Sequence, residues 1–198
     1  MPVIMINGMP VETNSFQLLL ILSNTIVASF NSASNILASF ILVHPRKARM
    51  AFINNLEEEL KILNALDTHI SDNELKVSLE AYSKSLHSLH DIGKEIYLSR
   101  FNEDYPNNQL STKQTKHPLP DWYNSAKYQN LLKRIFSIME IVLQSTEKNI
   151  HIMRSLRTQE GTSIPSESEE TVLKKIPEIR EMMRNGIVLS IEDEAYDQ

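Results

Sequence analysis

Hydrophobic positions recur along this chain with helical spacing, and in one stretch they crowd out charge altogether. Between Glu12 and Arg46 there is no Asp, Glu, Lys or Arg. Residues 18–22 are continuously apolar, after which Ser, Asn and Ala alternate with Ile, Val, Phe and Leu. Leu19, Leu22, Ile26, Ala33, Ile36 and Phe40 keep near-heptad, coiled-coil-like spacing. They predict one long helix starting near residues 13–15 and running to 43, with Asn14 and Gln17 in a capping arrangement. Ala28, Ser29, Ser32, Ala33, Ser34 and Ala38 form low ridges that let another helix approach closely. A charge-free run of this length can cross a bilayer, which takes about 20 apolar residues, and Arg46, Lys47 and Arg49 after it suit a cytoplasmic flank. The same pattern also builds the central helix of a soluble bundle. Asn24, Asn31 and Asn35 lower its hydrophobicity and later segments offer matching apolar faces, so the bundle reading is favoured.

His44-Pro45 breaks the first helix. A second follows to residue 67, with the stripe Ile53, Leu56, Leu60, Leu63 inside and Glu57, Glu58 and Glu59 toward solvent. Ser71 and Glu74 read as a capping box opening a third helix, whose stripe is Leu75, Leu79, Tyr82, Leu86, Leu89 and Ile96. Residues 102–120 are polar and proline-bearing, a long exposed loop. Asp121 then caps a fourth helix to residue 157, with Leu131, Ile135, Ile138, Val142, Ile152 and Leu156 on its buried side. At 1.5 Å per residue it is roughly 50 Å long, which makes the bundle elongated. Ser166 and Glu169 read as another capping box, opening a short helix that carries Val172, Ile176, Ile179 and Met183, kinks at Pro177 and stops at Asn185-Gly186.

Near the N-terminus, Asn7-Gly8 between two short apolar arms reads as a tight β-hairpin, with Pro10 confining the second arm to an edge. Residues 187–191 are strand-like and available to extend it. The expected fold is therefore mainly α: four long antiparallel helices plus a short C-terminal one, with a small N-terminal hairpin. The expected organisation is hairpin 1–12, bundle 13–158, linker 159–165, helix and strand 166–191, and acidic tail 192–198.

Composition narrows the function classes. The 198 residues include four glycines and no cysteine. Disulfides, thiol nucleophiles and Cys-based zinc sites are excluded, and no phosphate-cradling glycine loop is present. A net charge of −5 disfavours nucleic-acid phosphates, and Arg46, Lys47 and Arg49 are too short a basic run to offset it. The start lacks the basic region of a secretory signal, so the expected location is cytoplasmic, with membrane association or export left open. Asn, Ile and Lys usage suits an AT-rich bacterial or phage genome.

The sharpest candidate for chemistry is Leu89-His90-Asp91-Ile92-Gly93-Lys94. It resembles the His-Asp core of the HD-domain metal-dependent phosphohydrolases, a helical family. The resemblance implies His90 and Asp91 as metal ligands, a metal-bound water attacking a phosphate ester, and Lys94 near the phosphate. It covers six residues. The family's small apolar run before the dyad is replaced here by Lys84-Ser85-Leu86-His87-Ser88, the upstream His69 stands close in sequence, and Asp121 is accounted for as a helix cap. Spacing sets Ser83, His87, His90 and Lys94 on one stripe beside the core stripe, which describes a solvated face. His87 and His90, three apart, can share a metal on one helix face, but a metal site usually needs three or four ligands. The metal candidates are thus His90, Asp91, His87 and His69; no catalytic residue and no cofactor is nominated.

Trp122 and Tyr123, with Tyr128, suit an aromatic anchor for a partner. Val172, Ile176, Ile179 and Met183 suit a helix that docks in a partner's groove. The leading expectation is a non-enzymatic interaction protein: an adaptor, a chaperone-like or a structural subunit, similar in size and acidity to bacterial secretion chaperones, acting on a protein partner or on itself. The alternatives are a membrane-associated or membrane-inserting protein through residues 16–43, the HD-type phosphohydrolase, and a translocated bacterial effector, whose acidic C-terminal signals Glu192-Asp193-Glu194-Ala195-Tyr196 resembles.

Overall fold

A computed structural model of the chain describes residues 3–6, 8–12, 15–41, 46–98, 126–159, 161 and 166–184. Within them the fold is mainly α, with helices α1 (Ser15–Ile41), α2 (Arg46–Asp67), α3 (Asn73–Leu98), α4 (Ala126–Gln159) and α5 (Glu167–Arg184). Strands β1 (Val3–Ile6) and β2 (Met9–Glu12) pair antiparallel, with Gly8 between them at φ 79°. The expected loop at 102–120, the caps at Asn14 and Asp121, the stop at Asn185-Gly186, the strand at 187–191 and the acidic tail all lie outside the described residues.

The charge-free helix is a core element. Leu22, Ile26, Phe30, Ala33 and Leu37 of α1 are fully buried, and Leu19, Ile36 and Phe40 nearly so. Its hydroxyls make this burial tolerable. Thr25 Oγ1 donates to the Ile21 carbonyl at 2.8 Å, Ser29 Oγ to Thr25 at 2.7 Å, Ser34 Oγ to Phe30 at 2.8 Å and Ser39 Oγ to Ile36 at 2.6 Å. A serine that returns its proton to the preceding turn can be buried without an unsatisfied donor.

α1 packs against α2, α4 and α5, α2 against α3, and α3 against α4. Cross-helix contacts set the directions. Ser32 meets Glu59, and a Cβ on Gly93 would touch both Ile36 and Ile53, so α1 and α2 run antiparallel. His90 lies against Glu57 as Gly93 lies against Ile53, which makes α2 and α3 antiparallel too. Ser78 bonds Asn149 while Tyr82 reaches Thr146, so α4 opposes α3. Arg157 meets Glu169 and Arg180 meets Glu140, so α5 returns along α4 and parallel to α1. α4 has 34 residues, about 51 Å at 1.5 Å each.

Two local expectations change. Asp72, not Ser71, caps α3: its Oδ1 accepts from the Leu75 N–H at 2.9 Å and the helix opens at Asn73. Ser166 Oγ accepts from the Glu169 N–H at 3.4 Å, but the Glu169 carboxylate is 1% exposed and turned into the interior, so no reciprocal box closes. Pro177 lies inside α5, which continues as helix to Arg184.

Candidate functional site

The His90-Asp91 pair divides between interior and solvent. His90 is 9% exposed, which corrects the expectation of a solvated stripe, since α2 covers it. Its Nδ1 stands 3.2 Å from Asp91 Oδ1, and its Nε2 3.6 Å from Glu57 Oε2, beyond hydrogen-bond distance. Asp91 is 79% exposed at its side chain. His87 is exposed on α3 and His69 is exposed in the turn after α2. Among the described residues no group of three or more His, Asp or Glu side chains is placed to hold a metal ion. The dyad thus reads as a partly covered imidazole flanked by two carboxylates.

The interior is built around polar contacts that the sequence reading did not single out. Glu169 receives the Ser23 hydroxyl from α1 and both terminal guanidinium nitrogens of Arg157 from α4, at 2.9 and 2.6 Å. Arg154 Nε donates to it at 3.3 Å and reaches Glu170 with Nη2 at 2.5 Å. Arg157 is 6% exposed, so this is a buried, bidentate ion pair joining three helices. Burial alone raises a carboxyl pKa; here the Arg157, Ser23 and Arg154 hydrogen bonds and the Arg157 charge outweigh it together and hold Glu169 below the usual carboxylate range. The signal was available in the spacing. Glu169 stands three residues before Val172 on the apolar stripe of α5, and Arg157 four after Met153 on that of α4.

A second contact lies deeper. Tyr82 is fully buried, its hydroxyl 2.6 Å from Ser29 Oγ and donating to the Ile26 carbonyl at 3.2 Å. Burial pushes its phenol pKa well up, so it stays neutral. The third corrects an expectation: Glu59 is half-buried and not turned to solvent, and accepts the Ser32 hydroxyl at 2.5 and 3.0 Å. Desolvation raises its pKa, partly offset by that hydrogen bond. All three contacts hold α1 to its neighbours.

At the surface, α2 and α3 flank a groove of about 370 Å³ lined by Leu63, Asn64, Asp67, Leu79, Glu80, Ser83, Lys84 and His87. Its floor is apolar and its walls carry charge of both signs. The antiparallel register puts Asp67 and Glu80 at one end and Lys84 and His87 toward the other. The sequence could not nominate it, because its walls come from two helices.

Of the residues expected to meet a partner, Val172, Ile176 and Ile179 are 1%, 2% and 8% exposed, and Met183 packs half-buried beside them. That stripe is occupied by this chain's own core. Trp122 and Tyr123 lie outside the described residues. Comparison of the chain with known protein families, with curated proteins and with solved structures gives no match.

Proposed function

We propose that this protein is a non-enzymatic helical interaction module, an adaptor, chaperone-like or structural subunit, built as an elongated bundle of four long helices with a hairpin at one end. The observation that carries this reading is how its polar side chains are used. Ser23, Ser29, Ser32, Glu59, Tyr82, Arg157 and Glu169 bind one another across helices, and none of them lines the groove between α2 and α3. The α2–α3 groove, apolar below and charged at the rim, has the character of a protein-contacting surface.

The test is affinity capture of the tagged chain from its source extract, with soluble and detergent-solubilised membrane fractions read separately by mass spectrometry. The expected result is a stoichiometric soluble protein whose capture is lost on Ser83→Arg, which fills the groove. Recovery of no protein in either fraction, or capture indifferent to that substitution, overturns the reading.

A second reading has its own observation. Phe16–Phe40 is a 25-residue helix long and apolar enough to cross a membrane. Its apolar side chains are not all enclosed: Phe16 and Leu20 are 43% and 48% exposed. Membrane association through residues 16–43 is therefore the alternative, with the bundle as the form that keeps α1 in solution.

A further inference from the structure

We propose that α5 is a displaceable cover and that the α1 face beneath it is a contact surface for an anionic lipid bilayer. The inference rests on the membrane reading of α1 and adds what would control it.

The occupant follows from the chemistry of α1. The helix carries no ionised side chain. Thr25, Ser29, Ser34 and Ser39 satisfy their hydroxyls within α1 itself, so transfer into hydrocarbon strands none of them. Ser23 and Ser32 are different: they donate to carboxylates on α5 and α2, and Ser29 also meets Tyr82 on α3, so Ser23, uncovered when α5 leaves, must turn its hydroxyl back to the preceding turn as its neighbours do. A partner protein would be expected to offer polar groups to α1; a bilayer needs only an apolar face, and Asn24 and Asn35, exposed with α5 in place, lie outside the face that α5 covers. Arg46, Lys47 and Arg49 follow α1 in sequence, which suits anionic headgroups at its C-terminal end.

The cover follows from α5. It runs parallel to α1 from the level of Ser23, where Glu169 sits, and along α4 to the level of Glu140, where Arg180 meets it. Val172, Ile176 and Ile179 face inward, while Glu167, Lys174, Lys175, Glu178 and Glu181 are exposed. An amphipathic helix of 18 residues thus replaces solvent over an apolar face and turns charge outward. The exposed Phe16 and Leu20 lie beyond its N-terminal end, a first foothold for a membrane. The buried Glu169–Arg157 pair fastens α5, and a fastening of that kind is lost in one step when either partner is removed.

The experiment is co-sedimentation of the full chain with phosphatidylcholine–phosphatidylglycerol vesicles, with folding checked by circular dichroism. Glu169→Gln keeps the volume and removes the charge; its bound fraction is expected to rise about tenfold over the parent, as a population shift toward the uncovered form. The absence of cysteine allows a complementary lock. In Glu140→Cys/Arg180→Cys, a short bismaleimide joins α4 to α5 at a half-exposed ion pair whose loss costs little. The cross-linked protein is expected not to bind, and the uncross-linked control to bind as the parent does. Glu169→Gln binding no better than the parent, or cross-linked protein still binding, overturns the cover and leaves the membrane reading standing. No vesicle binding by any folded form overturns both. Should Glu169→Gln fail to fold, the cross-linked and uncross-linked forms of the cysteine pair still decide.

Discussion

Removing the Glu169 charge tests the account of what fastens α5. In the native chain Glu169 accepts from Arg157, Ser23 and Arg154, and both members of its main pair are nearly sealed from water. Glu169→Gln leaves the Arg157 guanidinium buried without a counter-charge. Breaking a buried pair from one side costs about 3–5 kcal/mol. For a chain of this size each kcal/mol moves Tm by about 2–4 °C, so the expected fall is roughly 6–20 °C. Thermal unfolding followed by circular dichroism reads it directly. The companion Glu169→Met/Arg157→Met removes both charges and fills the space with apolar atoms. It is expected to recover most of the loss, because the desolvation penalty goes with the pair, while Arg154 keeps Glu170. A Glu169→Gln protein within about 1 kcal/mol of the parent in urea titrations would refute the reasoning. So would a double variant as unstable as the sum of its parts, since coupled partners must be non-additive.

Acid acts on the same group with a defined sign. Glu169 titrates below an ordinary carboxyl, so its stabilisation is complete above the unfolded-chain value and is lost as pH falls through the lower folded value; stability measured below pH 4.5 should drop less in Glu169→Gln than in the parent. Glu59 has the opposite sign: its raised pKa makes the folded form gain stability as pH falls into the window above 4.5, and Glu59→Gln should flatten that gain. Gly93 lies inside α3, where an added Cβ meets Ile53 at 3.4 and 3.5 Å and Ile36 at 3.7 Å, all ordinary contact. Gly93→Ala should therefore raise stability by up to about 1 kcal/mol, whereas Gly93→Leu should lower it by overpacking; melting temperatures of the two moving the same way would contradict the packing described. His90→Ala/Asp91→Ala should leave bound metal and phosphoesterase activity unchanged; loss of a stoichiometric metal would return the phosphohydrolase reading to the front.

Much of the helical layout is legible from spacing alone. The stripes of α1, α2 and α3 name core residues that the structure buries, from Leu22 and Ile26 through Leu56 to Tyr82, because one-sided burial forces the 3.6-residue repeat onto the sequence. Cap assignment is less legible. Ser71 and Asp72 are both competent, and only the backbone geometry chooses Asp72.

What the sequence determined by itself, then, was local: helical elements, their apolar faces, the lack of charge in α1 and the exclusion of cysteine chemistry. Tertiary structure decided how the polar residues were used. Glu59 and Glu169 read as a solvated acid and a capping acid because their neighbours in sequence are polar, yet the groups that satisfy them, Ser32 on α1 and Arg157 on α4, are distant in the chain. His90 reads as a surface ligand until α2 is laid over it. A polar side chain's role depends on which partner can repay its desolvation, and that partner is chosen by packing between helices, a property no single stretch of sequence contains.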